Sequence, residues 1–153
     1  MRKIIELGRG CVMQRSKNAG FTLLELMIVV IVVAILATLA IYNYARYGYR
    51  ARRADGQNLI QKIAAAEERY YTNFNNYTTS ITGAAPAGLG FPSVNSEKGY
   101  YSVGAAVGAS NQTYTLTATP AGVQANDKCG SLILDNTGAK SASPGDTSNG
   151  SCW

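Results

Sequence analysis

The sequence predicts an α+β fold, with one long amino-terminal helix packed on a small antiparallel sheet of about four strands. Three observations predict it. An apolar run reaches from Phe21 to Ile41, a helical pattern continues beyond it to about Tyr71, and Thr113–Thr119 alternates threonines with apolar residues ahead of two cysteines.

The apolar run is long enough for a membrane helix, since about 20 residues at 1.5 Å each span a hydrocarbon layer roughly 30 Å thick. One acidic residue, Glu25, interrupts it a turn in. At mid-bilayer a carboxylate costs about 2.5–3.5 kcal/mol on insertion scales. The cost is smaller near the end of the run, but the charge still requires a reason. An intramembrane ionisable group points to function, and the best partner for this one is an amine.

Residues 42–73 read as an amphipathic continuation of the same helix. Ile60, Ile63, Glu67, Tyr70 and Phe74 recur at three- and four-residue steps, with Ala64 and Ala66 alongside. Arg52, Arg53, Gln57, Gln61, Lys62 and Glu68 fall on other faces. Unbroken from Phe21 to Tyr71, such a helix is roughly 77 Å long. Gly48 and Gly56 are its soft points.

Residues 74–99, with Pro86, Gly88, Gly90 and Pro92, read as a connecting loop. Residues 100–153 carry the sheet and a carboxy-terminal loop. Strands are expected at Tyr100–Val107, Thr113–Thr119 and Ser131–Leu134, and the turn Asp135-Asn136-Thr137-Gly138 returns a short fourth near Ala139–Ser141. In the second strand Tyr114, Leu116 and Ala118 share one face, and Thr113, Thr115, Thr117 and Thr119 the other. That alternation marks a half-buried strand with one face on the helix. Cys129 and Cys152 bound a segment too rich in Gly, Ser, Asp and Asn to build a core of its own.

Ahead of the apolar run, Arg15-Ser16-Lys17-Asn18-Ala19-Gly20 is short, basic and polar. It has no apolar stretch, unlike a secretory signal cleaved after its hydrophobic part. Followed by Phe21-Thr22-Leu23-Leu24-Glu25, it resembles the class III leader of type IV pilins and related pseudopilins. The resemblance implies that prepilin peptidase cuts between Gly20 and Phe21 and methylates the new amino terminus at Phe21. Glu25 then pairs with the Phe21 amine of a neighbouring subunit and sets its register. An ordinary signal anchor with a stray acid is the bland alternative. Ala19 departs from the basic residue often found before the glycine, and Arg15 and Lys17 supply that charge nearby. Residues 1–20 are thus expected to be removed. Residues 1–12, including Cys11, show neither helical nor strand periodicity, so Met13 is the expected true start. Peptides from those residues in unprocessed precursor would rule that out.

Further along, Arg52-Arg53-Ala54-Asp55-Gly56-Gln57, Glu68-Arg69-Tyr70-Tyr71-Thr72, Thr113–Pro120, Asp127-Lys128-Cys129-Gly130-Ser131-Leu132 and Cys152-Trp153 are similar to the PilE-like minor pilins of type IVa pili. This implies the type IV pilin ladle, with residues 21–41 as transmembrane and assembly helix. It implies an inner-membrane subunit with a periplasmic carboxy-terminal domain, later moved into an extracellular fibre. The implied partners are other pilin subunits, the peptidase and the assembly machinery, and the implied role is a minor subunit that primes assembly or sits near the tip. A disulfide between Cys129 and Cys152 is implied as well, in keeping with an oxidising periplasm and contributing about 3 kcal/mol on the chain-entropy model. Two free structural thiols are the alternative. Many pilins carry a proline around Tyr42 and a glycine near Ala34, and both breakers are missing here. Secretion-system major pseudopilins fit less well, because they carry a Pro-Trp-Gly-type segment and the single tryptophan here is Trp153. A major pilin, or a pilus-displayed receptor for DNA or a surface, is the alternative function.

The formal charge of +5 is mostly a property of the leader. Residues 1–20 hold five basic residues and one acidic, leaving nine basic and eight acidic residues, or +1, in the remainder. That disfavours nucleic acid as a partner unless the cations converge on one patch. There is no histidine, nucleophile–base pair or glycine-rich phosphate loop, so neither an enzyme nor a cofactor is expected. Asp127, Asp135 and Asp146 match no calcium-loop spacing, and no metal is expected. Arg46, Arg50, Arg52 and Arg53 lie just past the apolar run, among Tyr42, Tyr44, Tyr47 and Tyr49. The cluster reads as a partner-contact and membrane-edge feature with acids such as Asp55, Glu67 or Glu68, and DNA phosphates are the alternative. Charge counting alone places these arginines inside the cell. The leader and the cysteines demand an exported carboxy-terminal part, and that reading is preferred.

Overall fold

The computed structural model describes residues 20–153, so Met13, Arg15, Lys17 and Cys11 lie outside the described residues. The chain divides into two compact units, one ending at Thr38 and one covering Leu39–Trp153. A single helix, α1 (Leu23–Phe74), supplies the first unit and opens the second. It contains no proline, and Gly48 and Gly56 do not interrupt its hydrogen bonding. It stops where Asn75 adopts a left-handed conformation (φ 53°) and its N–H donates to the Tyr71 carbonyl. Asparagine is, after glycine, the residue best suited to such an end.

In the second unit, β1 (Tyr101–Val107), β2 (Tyr114–Pro120), β3 (Gly130–Asp135) and β4 (Lys140–Pro144) form one antiparallel sheet in that order. Each strand follows its neighbour through a short connection, so no crossover is needed. Leu116 of β2 stands opposite Ala105 and Leu134, and Val103 opposite Ala118. The predicted alternation holds: Tyr114, Leu116 and Ala118 are buried, while Thr113, Thr115 and Thr119 are exposed. The turn into β4 is held by Asp135, whose Oδ1 accepts from the Thr137 and Ala139 amides and the Thr137 hydroxyl. Strand β4 runs on to Pro144, beyond the expected Ser141. Residues 75–100 contain no regular helix or strand, yet Val94 and Ser96 exchange backbone hydrogen bonds with Val103 and Tyr101 and border β1.

Ile60 and Ile63 of α1 pack with Tyr77, Ile81, Tyr101, Val103, Tyr114, Leu116, Leu132 and Leu134 to make the core. The buried helix stripe differs from the predicted one at both ends. Phe74 is 42% exposed and leans on Tyr70, with ring centroids 4.5 Å apart, because the helix ends there before reaching further core. At the other end Arg53, expected on an outer face, is only 2% exposed. Arg53, Gly56, Ile60, Ile63 and Glu67 follow one another at three- and four-residue steps and are all buried. Gly56 is a close-approach position rather than a soft point, since a Cβ there would lie 2.6 Å from Cγ and Cδ2 of the Tyr101 ring.

Candidate functional site

In the first unit, the helix start is built by Thr22. Its hydroxyl accepts the Glu25 amide at 3.2 Å, and its carbonyl accepts the Leu26 amide at 3.2 Å. Thr22 followed three residues later by Glu25 is the residue pair of a capping box. Glu25 therefore occupies the first turn, where the positive end of the helix dipole favours an anion. The cap was legible in Thr22-x-x-Glu25, a signal the apolar run obscured. Phe21, Glu25, Leu26 and Val29 line a common hollow of about 230 Å³. Glu25, Leu26 and Val29 belong to the first two turns of α1, and Phe21, two residues ahead of the helix, closes the hollow beside them. Gly20 immediately precedes Phe21, in irregular backbone. From Leu23 to Ile41 the large apolar side chains are exposed, none less than Val32 at 48%. By length and composition this stretch belongs to a helix able to cross a membrane.

In the second unit, Cys129 and Cys152 are joined by a disulfide that closes 23 residues of chain. Arg53 fastens the end of that loop to the helix. Its Nε and Nη2 donate to Oδ2 and Oδ1 of Asp127, each at 2.6 Å, in a two-pronged ion pair. Its Nη1 donates to the Ser151 carbonyl at 2.6 Å, and Gln57 Nε2 donates to the Cys152 carbonyl at 3.1 Å. Gln124, fully buried, donates from Nε2 to Asp127 Oδ2 and the Tyr101 hydroxyl, and also to the Tyr49 carbonyl. Burial works to raise the Asp127 carboxyl, but the hydrogen bonds and charge of Arg53 outweigh it and hold the group below its ordinary range.

The basic cluster thus divides. Arg53 is spent internally, on Asp127 rather than on Asp55, Glu67 or Glu68. Arg52 lies over the Tyr100 ring at 5.3 Å. Arg46 and Arg50 line a hollow of about 240 Å³ with Asn149 and Gly150, and Arg50 also sits 5.9 Å from the Tyr47 ring centroid. Tyr44 and Tyr47 are largely exposed, whereas the side chain of Tyr42 lies outside the described residues. The three aspartates weighed for a metal have separate duties: Asp127 takes Arg53, Asp135 shapes the turn into β4, and Asp146 accepts the Ser148 amide.

The placing of Glu67 on the apolar helix stripe is matched by its burial. Glu67 is fully buried, its Oε2 accepts the Thr78 amide at 3.2 Å, and its Oε1 has no hydrogen-bond partner among the described residues. Burial pushes this carboxyl up; the Thr78 N–H pulls the other way, and the neighbouring Glu68 adds to the rise.

Residues 43–133 match the family described as type IV minor pilin ComP, DNA uptake sequence receptor, and residues 15–41 match the prokaryotic N-terminal methylation motif. The chain is 29% identical over 92 residues to the type IV major pilin protein PilA of Myxococcus xanthus, covering 60% of this chain and 40% of that one. It is 35% identical over 74 residues to the type II secretion system core protein G of Aeromonas hydrophila, covering 46% and 50%. The chain therefore spans half or less of the length of these two relatives. A solved type IV pilin from Shewanella oneidensis is 30% identical, covering 69% of this chain and 97% of that one, with a TM-score of 0.49. With a methylation motif at the head of the helix and a pilin family matched across more than half of its length, this chain belongs to the type IV pilins, structural subunits and not enzymes.

Proposed function

We propose that the protein is a minor pilin. Prepilin peptidase cuts it between Gly20 and Phe21 and methylates the Phe21 amine, and residues 21–41 hold it in the inner membrane with the remainder on the periplasmic side. The assembly machinery then moves it into the fibre, where the exposed apolar helix surface is covered by neighbours. Burial of that surface supplies most of the cohesion, at about 25 cal/mol per Å² removed from water. The observation that carries this reading is the hollow at the helix start that Phe21 and Glu25 line together amid exposed apolar side chains. A neighbour's amine arriving there meets a carboxylate already placed in the first turn. The pair sets register more than it adds stability, because desolvating two charges offsets much of their attraction.

Amino-terminal mass spectrometry of sheared surface fibres tests the proposal. An N-methylated Phe21 peptide at low abundance is expected, whereas a dominant one would make this the major subunit. Gly20→Arg is expected to leave uncut precursor in the membrane.

The second reading is a DNA receptor displayed on the pilus, favoured by the description of the family matched over residues 43–133. Against it stands the near-neutral mature chain, from which Arg53 is further withdrawn by burial. A gel shift with a soluble fragment from residue 42 onward tests the receptor reading, which the family description joins to that of a minor pilin. Binding that weakens steeply with salt supports the receptor.

A further inference from the structure

We propose that Arg46, Arg50 and the 149–150 turn form a pocket for the phosphate of an anionic phospholipid headgroup. The proposal rests on the membrane-anchored reading above. The four lining residues, Arg46, Arg50, Asn149 and Gly150, include two guanidinium groups and no carboxylate. Two acids lie near this turn: Asp127 is paired with Arg53 and receives a hydrogen bond from Asn149, and Asp146, which caps the turn, accepts the Ser148 amide at 2.8 Å and faces the charge of Lys128. Guanidinium forks suit phosphate oxygens, and two of them around one hollow suit a single monoanionic phosphodiester.

Depth along the helix places the pocket at the headgroups. Arg46 lies five residues past Ile41, the end of the apolar run, which is roughly 7.5 Å of helix, and Arg50 lies roughly 13.5 Å past it. The polar layer of a bilayer is roughly 5–7 Å thick on each side, and arginine reaches along its own stem to meet it. Tyr44 and Tyr47, 79% and 65% exposed, flank the same stretch, as aromatic side chains do at a membrane interface. A lipid phosphate also answers the orientation conflict in the sequence. Arginines on the exported flank oppose the usual charge bias, and an anionic ligand neutralises them there.

Gly150 makes the pocket specific. Its φ is 95°, and a Cβ would fall 2.8 Å from the Cδ of Arg50 and 3.3 Å from its Nη1. The turn can therefore lie flat against the arginine stem only because that side chain is missing. Gly150→Ala displaces Arg50 while leaving the charge unchanged, and so separates a built pocket from a merely basic surface.

The test uses the processed full chain in phosphatidylcholine vesicles, with and without phosphatidylglycerol. Retained lipid is weighed by native mass spectrometry after mild detergent extraction, and membrane residence is read separately by resistance to alkaline carbonate. The wild type is expected to retain phosphatidylglycerol preferentially. Arg46→Gln and Arg50→Gln are each expected to reduce that preference roughly fivefold. Gly150→Ala is expected to reduce it with the disulfide intact and thermal unfolding shifted down modestly by the strain of a Cβ at φ 95°, and Arg52→Gln is expected to leave it unchanged. Equal preference in the Arg46→Gln/Arg50→Gln double variant, or an equal loss in Arg52→Gln, overturns the pocket. Displacement of the lipid by inorganic phosphate reassigns it to free anions, and displacement by a short DNA duplex reassigns it to nucleic acid. A chain that stays embedded without headgroup preference refutes the pocket alone, while a chain that washes off refutes the anchored reading with it.

Discussion

Arg53 and Asp127 form the strongest polar contact in the second unit, buried on both sides and doubly hydrogen bonded. Removing one member leaves the other charged and dry, so Arg53→Ala is expected to destabilise the soluble fragment by about 3–5 kcal/mol in urea unfolding. The pair also sets an acid limit. Because the folded Asp127 carboxyl lies below its ordinary 3.8, its contribution is present above that value and is lost as pH falls through the lowered folded one. Glu67 has the opposite sign. Its carboxyl is raised above 4.5 in the folded state, so the fold is favoured below that pH and loses ground as pH climbs through the raised value. Glu67→Gln is expected to raise the melting temperature at neutral pH and to change it little in acid, where the native residue is already protonated. A melting curve series across pH checks both the direction and the window.

Helix α1 shows how much can be read from pattern and where pattern misleads. Its core-facing isoleucines, its run to about Tyr71 and the alternation in β2 were legible because burial and side-chain type agreed at those positions. Arg53 and Glu67 share the buried stripe, yet periodicity placed only Glu67 on it and assigned Arg53 to an outer face, and neither residue's bonding partner was foreseen. Their partners lie 74 and 11 residues away in sequence, a separation that no local pattern encodes. The same limit applies to Gly56. In isolation it reads as a weak helix former, whereas in the fold it is the only residue that lets the Tyr101 ring lie on the helix. Gly56→Ala gains helix propensity, but it is expected to lower stability by about 1–3 kcal/mol because a fully buried ring has nowhere to go. Pairing Gly56→Ala with Tyr101→Leu is expected to recover part of that loss in thermal unfolding, since the smaller side chain relieves the clash.

The informative contrast lies between a second unit with a closed core and a first unit whose apolar side chains, among the described residues, are all exposed. A surface of that size is not stable in water, and lipid or copies of the same helix are its physical solutions. Glu25→Ala is expected to leave cleavage and membrane residence intact and to lower the amount of this subunit in sheared fibres severalfold, read by quantitative mass spectrometry. Wild-type amounts of the variant in fibres would remove the register role. The proposed cleavage junction and Glu25 can be argued from the sequence because they sit in one contiguous stretch. The Arg46–Arg50 hollow could not, since half of its wall comes from a turn a hundred residues downstream.

The helix holds the tail of the chain by main-chain oxygens, those of Ser151 and Cys152, and the sulfur bridge closes the rest. Grip of that kind is indifferent to side-chain identity. Outward-facing positions between the two cysteines are therefore free to drift under selection, and a lineage can repaint this surface without loosening its mooring.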